Sequence, residues 1–308
     1  MEIEKYTAAK PIFNTAAPTE EKVATEPADY INIMLSDGKI SNFKQGSTGN
    51  CWLLGTIKAI SKTPNGKDFF EEIITQNSDG SVNVKLKGTG SSYRFTQQDL
   101  YDRLFNEKAT KLSEGDVDVR LLEMAIEKEL KGYPENGSTT DKAIELLLGN
   151  KTTKFYPKSK KTTNAENIHD KNRKIWDLSN YIIREKPKNI TITAATFGEN
   201  LPKNSQLTKN HIYSVDIKNS TEETLILINP HDTKKIYLLH KKDIKDNINY
   251  FTIIDMRKSK PHSVKSGERL QKIAHKNKID TKSLLIANPQ IEDVDKIYPK
   301  EIINIPMD

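Results

Sequence analysis

The sequence predicts an α+β protein with two unequal lobes and a small appended module. Three observations predict it. Helical periodicity dominates the first half: Leu53/Leu54, Ile57 and Ile60 after Cys51, then Val119, Leu122, Ile126 and Leu130, then a run from Ser138–Asp141 to Leu148. From about residue 176 short β-type runs take over: Ile190–Thr196, His211–Ile217, Leu225–Asn229, Lys235–Leu239 and Tyr250–Met256. Residues 261–308 then read strand, helix, helix, strand.

Taken in order, residues 1–29 are rich in Ala, Thr, Pro and Glu and read as a loosely attached leader, with three basic against six acidic residues. Residues 30–175 form the first, mainly helical lobe. Tyr30–Leu35 reads as a short strand or clamp, and Asp37-Gly38 as a turn. The Cys51 helix follows, then a helical patch at Phe69–Ile74. Val82–Leu86 and Tyr93-Arg94-Phe95, joined through Gly88-Thr89-Gly90, read as a hairpin. Asp116 or Asp118 caps the next helix, which Gly132 stops; the following one stops at Gly149. Residues 151–188 carry eleven Lys/Arg against four Asp/Glu, and 151–174 hold only two aromatics, which favours a solvated connector over a nucleic-acid site. Residues 176–258 form the β lobe, opened by a helix at Trp176–Ile183. The polar loop 198–210 enters His211 directly and is placed to gate a cleft.

Composition bounds the rest. With 308 residues, 29% charged, net charge +6 and mean hydropathy −0.67, the chain holds two or three domains with polar surfaces. No apolar run reaches membrane-spanning length, and Met1–Lys5 opens no cleavable signal. Synthesis in the cytoplasm is expected, with any export by a leaderless or particle-associated route. Cys51 is the only cysteine, so an intramolecular disulfide or a cysteine-pair redox switch is excluded.

That cysteine sits in Gln45-Gly46-Ser47-Thr48-Gly49-Asn50-Cys51-Trp52-Leu53-Leu54. A Gly-rich turn delivers it to a helix start, where unpaired amides stabilise an anion, lower a thiol pKa and make a nucleophile. Gln45 offers an amide donor for an oxyanion. The segment resembles the active-site pattern of calpain-like cysteine proteases, Gln-Gly-x-x-Gly-Asp-Cys-Trp-Leu-Leu, with Asn50 where that family commonly has Asp. Leu121-Leu122-Glu123-Met124-Ala125 resembles the family's Leu-Leu-Glu-Lys-Ala helix.

The resemblance implies a papain-like fold, with the thiol on the helical lobe and His and Asn on the β lobe. Asn210-His211-Ile212-Tyr213-Ser214-Val215 resembles the family's His-Ala-Tyr-Ser-Val segment, and Ile228-Asn229-Pro230 its Asn-Pro-Trp. The implied catalytic residues are therefore Cys51, His211 and Asn229, with Gln45 and the Cys51 amide as the oxyanion hole. His231 stands in place of the family's Trp, so weaker water exclusion around the His–Asn pair is expected. No Asp-x-Asp-x-Asp-Gly loop is present; no cofactor is expected, and calcium dependence is not expected either.

The last module resembles a LysM domain, on Val264, Leu270, Ile273, Leu284, Leu285, Ile297, Ile303 and Ile305 as a small core. The resemblance implies binding of N-acetylglucosamine-containing glycans between Ser266-Gly267-Glu268-Arg269 and Lys296-Ile297-Tyr298. Glu268-Arg269 stands where that family more often has Asp-Thr. The expected function is a calpain-like cysteine endopeptidase acting on protein or peptide, tethered to a glycan-binding module in a bacterial, effector-like role. Two alternatives stay open: an NlpC-type peptidoglycan peptidase, and a glycan-binding protein with a decayed protease lobe. No nucleic acid and no membrane span are expected.

Overall fold

The computed structural model describes residues 33–134, 137–150, 153–155, 180–291 and 293–307. The leader read at 1–29, and most of the basic connector, lie outside them. The described residues form one compact unit.

Of Tyr30–Leu35, read as a short strand or clamp, the described part is a 3-10 turn at Ile33–Leu35. Ile33 is fully buried there, and its N–H donates to the Gln97 side chain, so a side chain takes the place of a partner strand. Helix α1 (Cys51–Ser61) follows, and every residue from Trp52 to Ser61 is buried. It is therefore a central helix, buried all round, and more than the single buried stripe that its spacing predicts. Helix α2 (Pro64–Ile73) has Thr63 as N-cap and Pro64 at its first position. Strands β1 (Ile74–Gln76), β2 (Val82–Lys85) and β3 (Ser92–Phe95) make a small antiparallel sheet that contains the expected hairpin.

Helix α3 (Gln97–Leu104) starts on a capping box between Thr96 and Asp99. Helix α4 (Val117–Leu130) is capped by Asp116 and ends on Lys131 in the left-handed conformation (φ 56°). Helix α5 (Thr140–Leu148) ends on Gly149 at φ 72°.

The second lobe is one six-stranded antiparallel sheet: β4 (Thr153–Phe155), β5 (Ile190–Thr196), β6 (Ile212–Val215), β7 (Thr224–Asn229), β8 (Asp232–His240) and β9 (Ile248–Asp255), in the order β4-β9-β5-β6-β7-β8. Strand β4 pairs with β9, so part of the expected solvated connector is the sheet's edge. Residues 180–185 are helical, matching the described part of the helix expected at 176–183. Helix α6 (Lys241–Asn247) was not expected; its sequence, KKDIKDN, has no apolar stripe.

Helix α1 packs on β5 and β6. Gly55 permits this, because a Cβ there would stand 2.9 Å from Ile212 Cγ2. The other face of the sheet buries Tyr213, Val215, Leu227, Phe251 and Ile253 in one core.

Strand β10 (Lys258–Ser263) pairs antiparallel with β11 (Ile302–Met307), and helices α7 (Leu270–Lys276) and α8 (Thr281–Ile286) lie between them in the chain. Strand β10 itself opens at Lys258, three residues before the expected start of the module. Its core is Val264, Leu270, Ile273, Ala274, Leu284, Ile303 and Ile305, with Leu285 and Ile297 partly buried against it. It does not hang on a free tether. Ile286 is buried in the β-lobe core. The Arg257 guanidinium bridges Asp255 to the hydroxyl and carbonyl of Ser283.

Candidate active site

Cys51 is the first residue of α1, so its N–H is one of the amides that a helix start leaves without an intrahelical acceptor. Asn210, with φ 48°, turns the chain into β6 and brings its carbonyl oxygen to 3.9 Å from Cys51 Sγ. The next residue, His211, bonds Asn229 at the end of β7: His211 Nε2 lies 2.8 Å from Asn229 Oδ1. An amide oxygen only accepts, so Nε2 carries the proton and Nδ1 is left as the basic nitrogen. Asn229 Oδ1 also accepts the His231 N–H at 2.9 Å, which fixes the amide from a second direction.

Replacement of the family's Trp by His231 does not open the pair to water. His211 is 3% exposed and Asn229 4%. The His231 ring lies over His211, with centroids 4.2 Å apart and planes at 45°.

Electrostatics set the resting state. Burial drives the His211 pKa down to about 4; the neighbouring His231 adds to this and the Asn229 bond opposes it. Burial also raises the Cys51 thiol, against backbone amides of Ile212, Trp52 and Cys51 that pull it down. The expected lowering of the thiol pKa by the helix start is therefore overturned in the resting protein, since desolvation is the largest cause. Both shifts favour the uncharged forms of thiol and imidazole.

The loop before Cys51 is clamped from both lobes. Lys58 Nζ donates to the Ser41 carbonyl and Asn42 Oδ1, both at 3.0 Å, and burial brings its pKa down to about 8. Asp116 accepts from the Ser41 N–H and hydroxyl. Across the seam, the Phe43 N–H donates to the Thr233 hydroxyl and the Phe43 carbonyl accepts the Thr233 N–H. The Gln45 N–H donates to the Pro230 carbonyl at 2.9 Å. Gln45 Nε2 donates one hydrogen to the Thr48 carbonyl at 2.8 Å, and its Oε1 is buried with no partner. The second Nε2 hydrogen is not used by that bond.

Sequence reasoning did not single out Lys58, Thr233 or Glu123. Glu123 is fully buried, accepting 2.7 Å from Asn50 Nδ2 and 2.9 and 2.5 Å from the Ser113 N–H and hydroxyl. Burial raises its carboxyl, while those hydrogen bonds and Arg120 pull it down. The signal for the pair is in the sequence: an amide at position 50 and a carboxylate on the buried stripe of α4.

In the C-terminal module, Ser266, Gly267, Lys296 and Tyr298 are exposed, Tyr298 by 64%, and Glu268 and Arg269 continue the first loop. Ile297 is partly buried in the module core. The Glu268 carboxylate is held within its own loop by the Lys265 N–H at 2.8 Å and His262 Nε2 at 2.9 Å. The backbone of Val264 bonds that of Glu301 and Lys300, so the two ends of the module meet just past β10.

No curated protein matches the chain. Protein-family comparison matches residues 262–306 to the LysM domain and 18–240 to the calpain family cysteine protease, the second match opening inside the segment read as a leader. That match spans more than half of the sequence and contains the Cys51 helix start and the His211–Asn229 pair, and the chain belongs to the calpain family of cysteine proteases, followed by a LysM domain.

Proposed function

We propose that the protein is a cysteine endopeptidase in which Cys51 is the nucleophile, His211 the general base and acid, and Asn229 the residue that orients His211. The observation that supports this most is the 2.8 Å His211–Asn229 bond, one residue from the carbonyl that touches Cys51 Sγ.

In this reading Cys51 gives its proton to His211 Nδ1 as Sγ attacks the scissile carbonyl carbon. The S–C bond forms and the carbonyl oxygen takes the negative charge. The Cys51 N–H and the free Nε2 hydrogen of Gln45 donate to it. Collapse breaks the C–N bond, and the His211 imidazolium protonates the leaving amine. Water, deprotonated by His211, then attacks the thioester and releases the acid, and the proton returns to Cys51. The low His211 basicity makes the imidazolium a strong acid for the amine step. Asn229 compensates in part by accepting the Nε2–H, which strengthens as the ring charges.

The substrate is a protein or peptide, and the LysM domain presents Ser266–Arg269 and Lys296–Tyr298 to a glycan containing N-acetylglucosamine. An effector-like role and export without a signal belong to the same proposal. Catalysis is proposed to need no calcium, as expected from a sequence without an Asp-x-Asp-x-Asp-Gly loop. Among the described residues no helix is long and apolar enough to cross a membrane. Against the decayed-protease reading, both departures from the family pattern have partners: Asn50 on Glu123 and His231 over His211.

The test is cleavage of unfolded casein and of purified peptidoglycan by wild type and Cys51→Ala, with calcium or with chelator. Cys51-dependent, chelator-insensitive cleavage of casein is expected. Release of wall peptides with casein untouched moves the protein to the NlpC-type class. Loss of activity with chelator refutes the calcium-free reading.

A further inference from the structure

Helix α1 runs from Cys51, at its first residue, to Ser61. Its 11 residues rise roughly 16 Å at 1.5 Å per residue. Strand β6 leads away from its His211 end to Val215 and Ile217. At the far end of both lies a cavity of about 430 Å³, lined by residues of both lobes. One wall is the α1–α2 junction, with Lys62, Thr63 and Pro64; the other is the entry to β5 and the exit from β6, with Lys186, Lys188 and Lys218.

Four of its 13 lining residues are lysines, and Asp216 is the one acidic residue. All four lysines are exposed, and among the described residues none makes an ion pair with a carboxylate. Lys186 alone is tied down, donating to the Lys218 carbonyl at 2.7 Å. Asp216 is occupied by the backbone and side-chain amides of Asn219. An anion in the cavity would meet lysines on both walls and a single carboxylate that is itself engaged. A cavity of this volume has room for several oxyanion groups but no duplex or extended chain.

We propose that this seam pocket binds a small, multiply charged oxyanion. Because its walls belong to different lobes, the bound anion cross-links them at the end remote from Cys51 and stabilises their docked arrangement. The site is independent of the proteolytic reading and uses none of the residues placed in it.

The experiment is calorimetric titration and thermal unfolding of the full chain with sodium tripolyphosphate, at constant ionic strength set with sodium chloride. Citrate serves as a carboxylate probe of similar charge. Saturable binding of tripolyphosphate with a rise in Tm is expected, and saturable binding of citrate too, since the lysines recognise charge. The variant K62Q/K188Q/K218Q should bind at least tenfold more weakly. The control K241Q/K242Q/K245Q, on α6, should bind as wild type does. Equal weakening in both variants would show general attraction to a basic protein and overturn the proposal, as would no binding by wild type. Should the triple variant fail to fold, K62Q and K188Q singly are expected to weaken binding at least threefold each, and unchanged binding in both refutes the site.

Discussion

The side-chain amide of Asn50 donates a 2.7 Å hydrogen bond to the carboxylate of Glu123, a wholly buried acid on the neighbouring helix. Asn50 is also the N-cap of the helix that begins with Cys51. The pair therefore joins the thiol's helix start to α4. At this position an amide supplies a donor to Glu123, whereas an aspartate would set two carboxylates together.

Asn50→Asp should accordingly destabilise the protein by about 3–5 kcal/mol at neutral pH, the usual cost of an uncompensated buried charge. The loss should shrink in acid, where one of the two carboxyls takes a proton. Adding Glu123→Gln should recover most of it, since the new glutamine's Oε1 can accept from Ser113 and its Nε2 can donate to the introduced carboxylate. Urea unfolding of the single and double variants at pH 5 and pH 8 measures this. No recovery in the double variant would show that the pair does not act as a unit.

His211 gives a pH dependence whose sign follows from its depressed basicity. The folded protein holds it neutral down to about 4, whereas in the unfolded chain it titrates near 6.5. Between those values the unfolded chain binds more protons, so stability rises with pH across that window, by on the order of 3 kcal/mol in total. His211→Gln should flatten that rise, as read from denaturant midpoints between pH 4 and 7. A slope unchanged in the variant would assign the effect elsewhere.

Gly46 carries the loop between Gln45 and Cys51 past the backbone of the neighbouring segment. A Cβ there would stand 2.1 Å from the Lys111 carbonyl oxygen and 2.3 Å from that of Leu112. Both obstacles are backbone, so the loop itself must move. Gly46→Ala should cost about 2–4 kcal/mol and slow alkylation of Cys51 by iodoacetamide. Wild-type Tm together with wild-type labelling would contradict the close approach.

Arg257 holds the C-terminal module to the β lobe with its side chain only 4% exposed. Arg257→Ala leaves Asp255 without its counter-charge and frees Ser283, at about 2–4 kcal/mol. Because Ile286 fills the β-lobe core, the wild type should unfold in one calorimetric transition. The variant should show a lower Tm, and a separate early transition would mark the module's release. Two transitions already in the wild type would refute the shared core.

The sequence by itself determined the helix at Cys51, the caps at Asp116 and Gly149, the strands around His211 and Asn229, and the βααβ order of the last module. These rest on local periods and terminators, which are written residue by residue. Helix α3 is legible too, through the capping box of Thr96 and Asp99. Only the tertiary structure decided what depends on distant partners. Ile33–Leu35 became a 3-10 turn because Gln97 accepts from its backbone, and Thr153–Phe155 became a strand because β9 was there to pair with it. The thiol lost the low pKa that a helix start implies because burial outweighs the backbone amides. The docking of the C-terminal module on Arg257 and Ile286, like the Asn50–Glu123 bond, joins residues far apart in the chain. No local pattern reports such contacts, because their energy comes from desolvation and charge pairing that exist only after the lobes have packed.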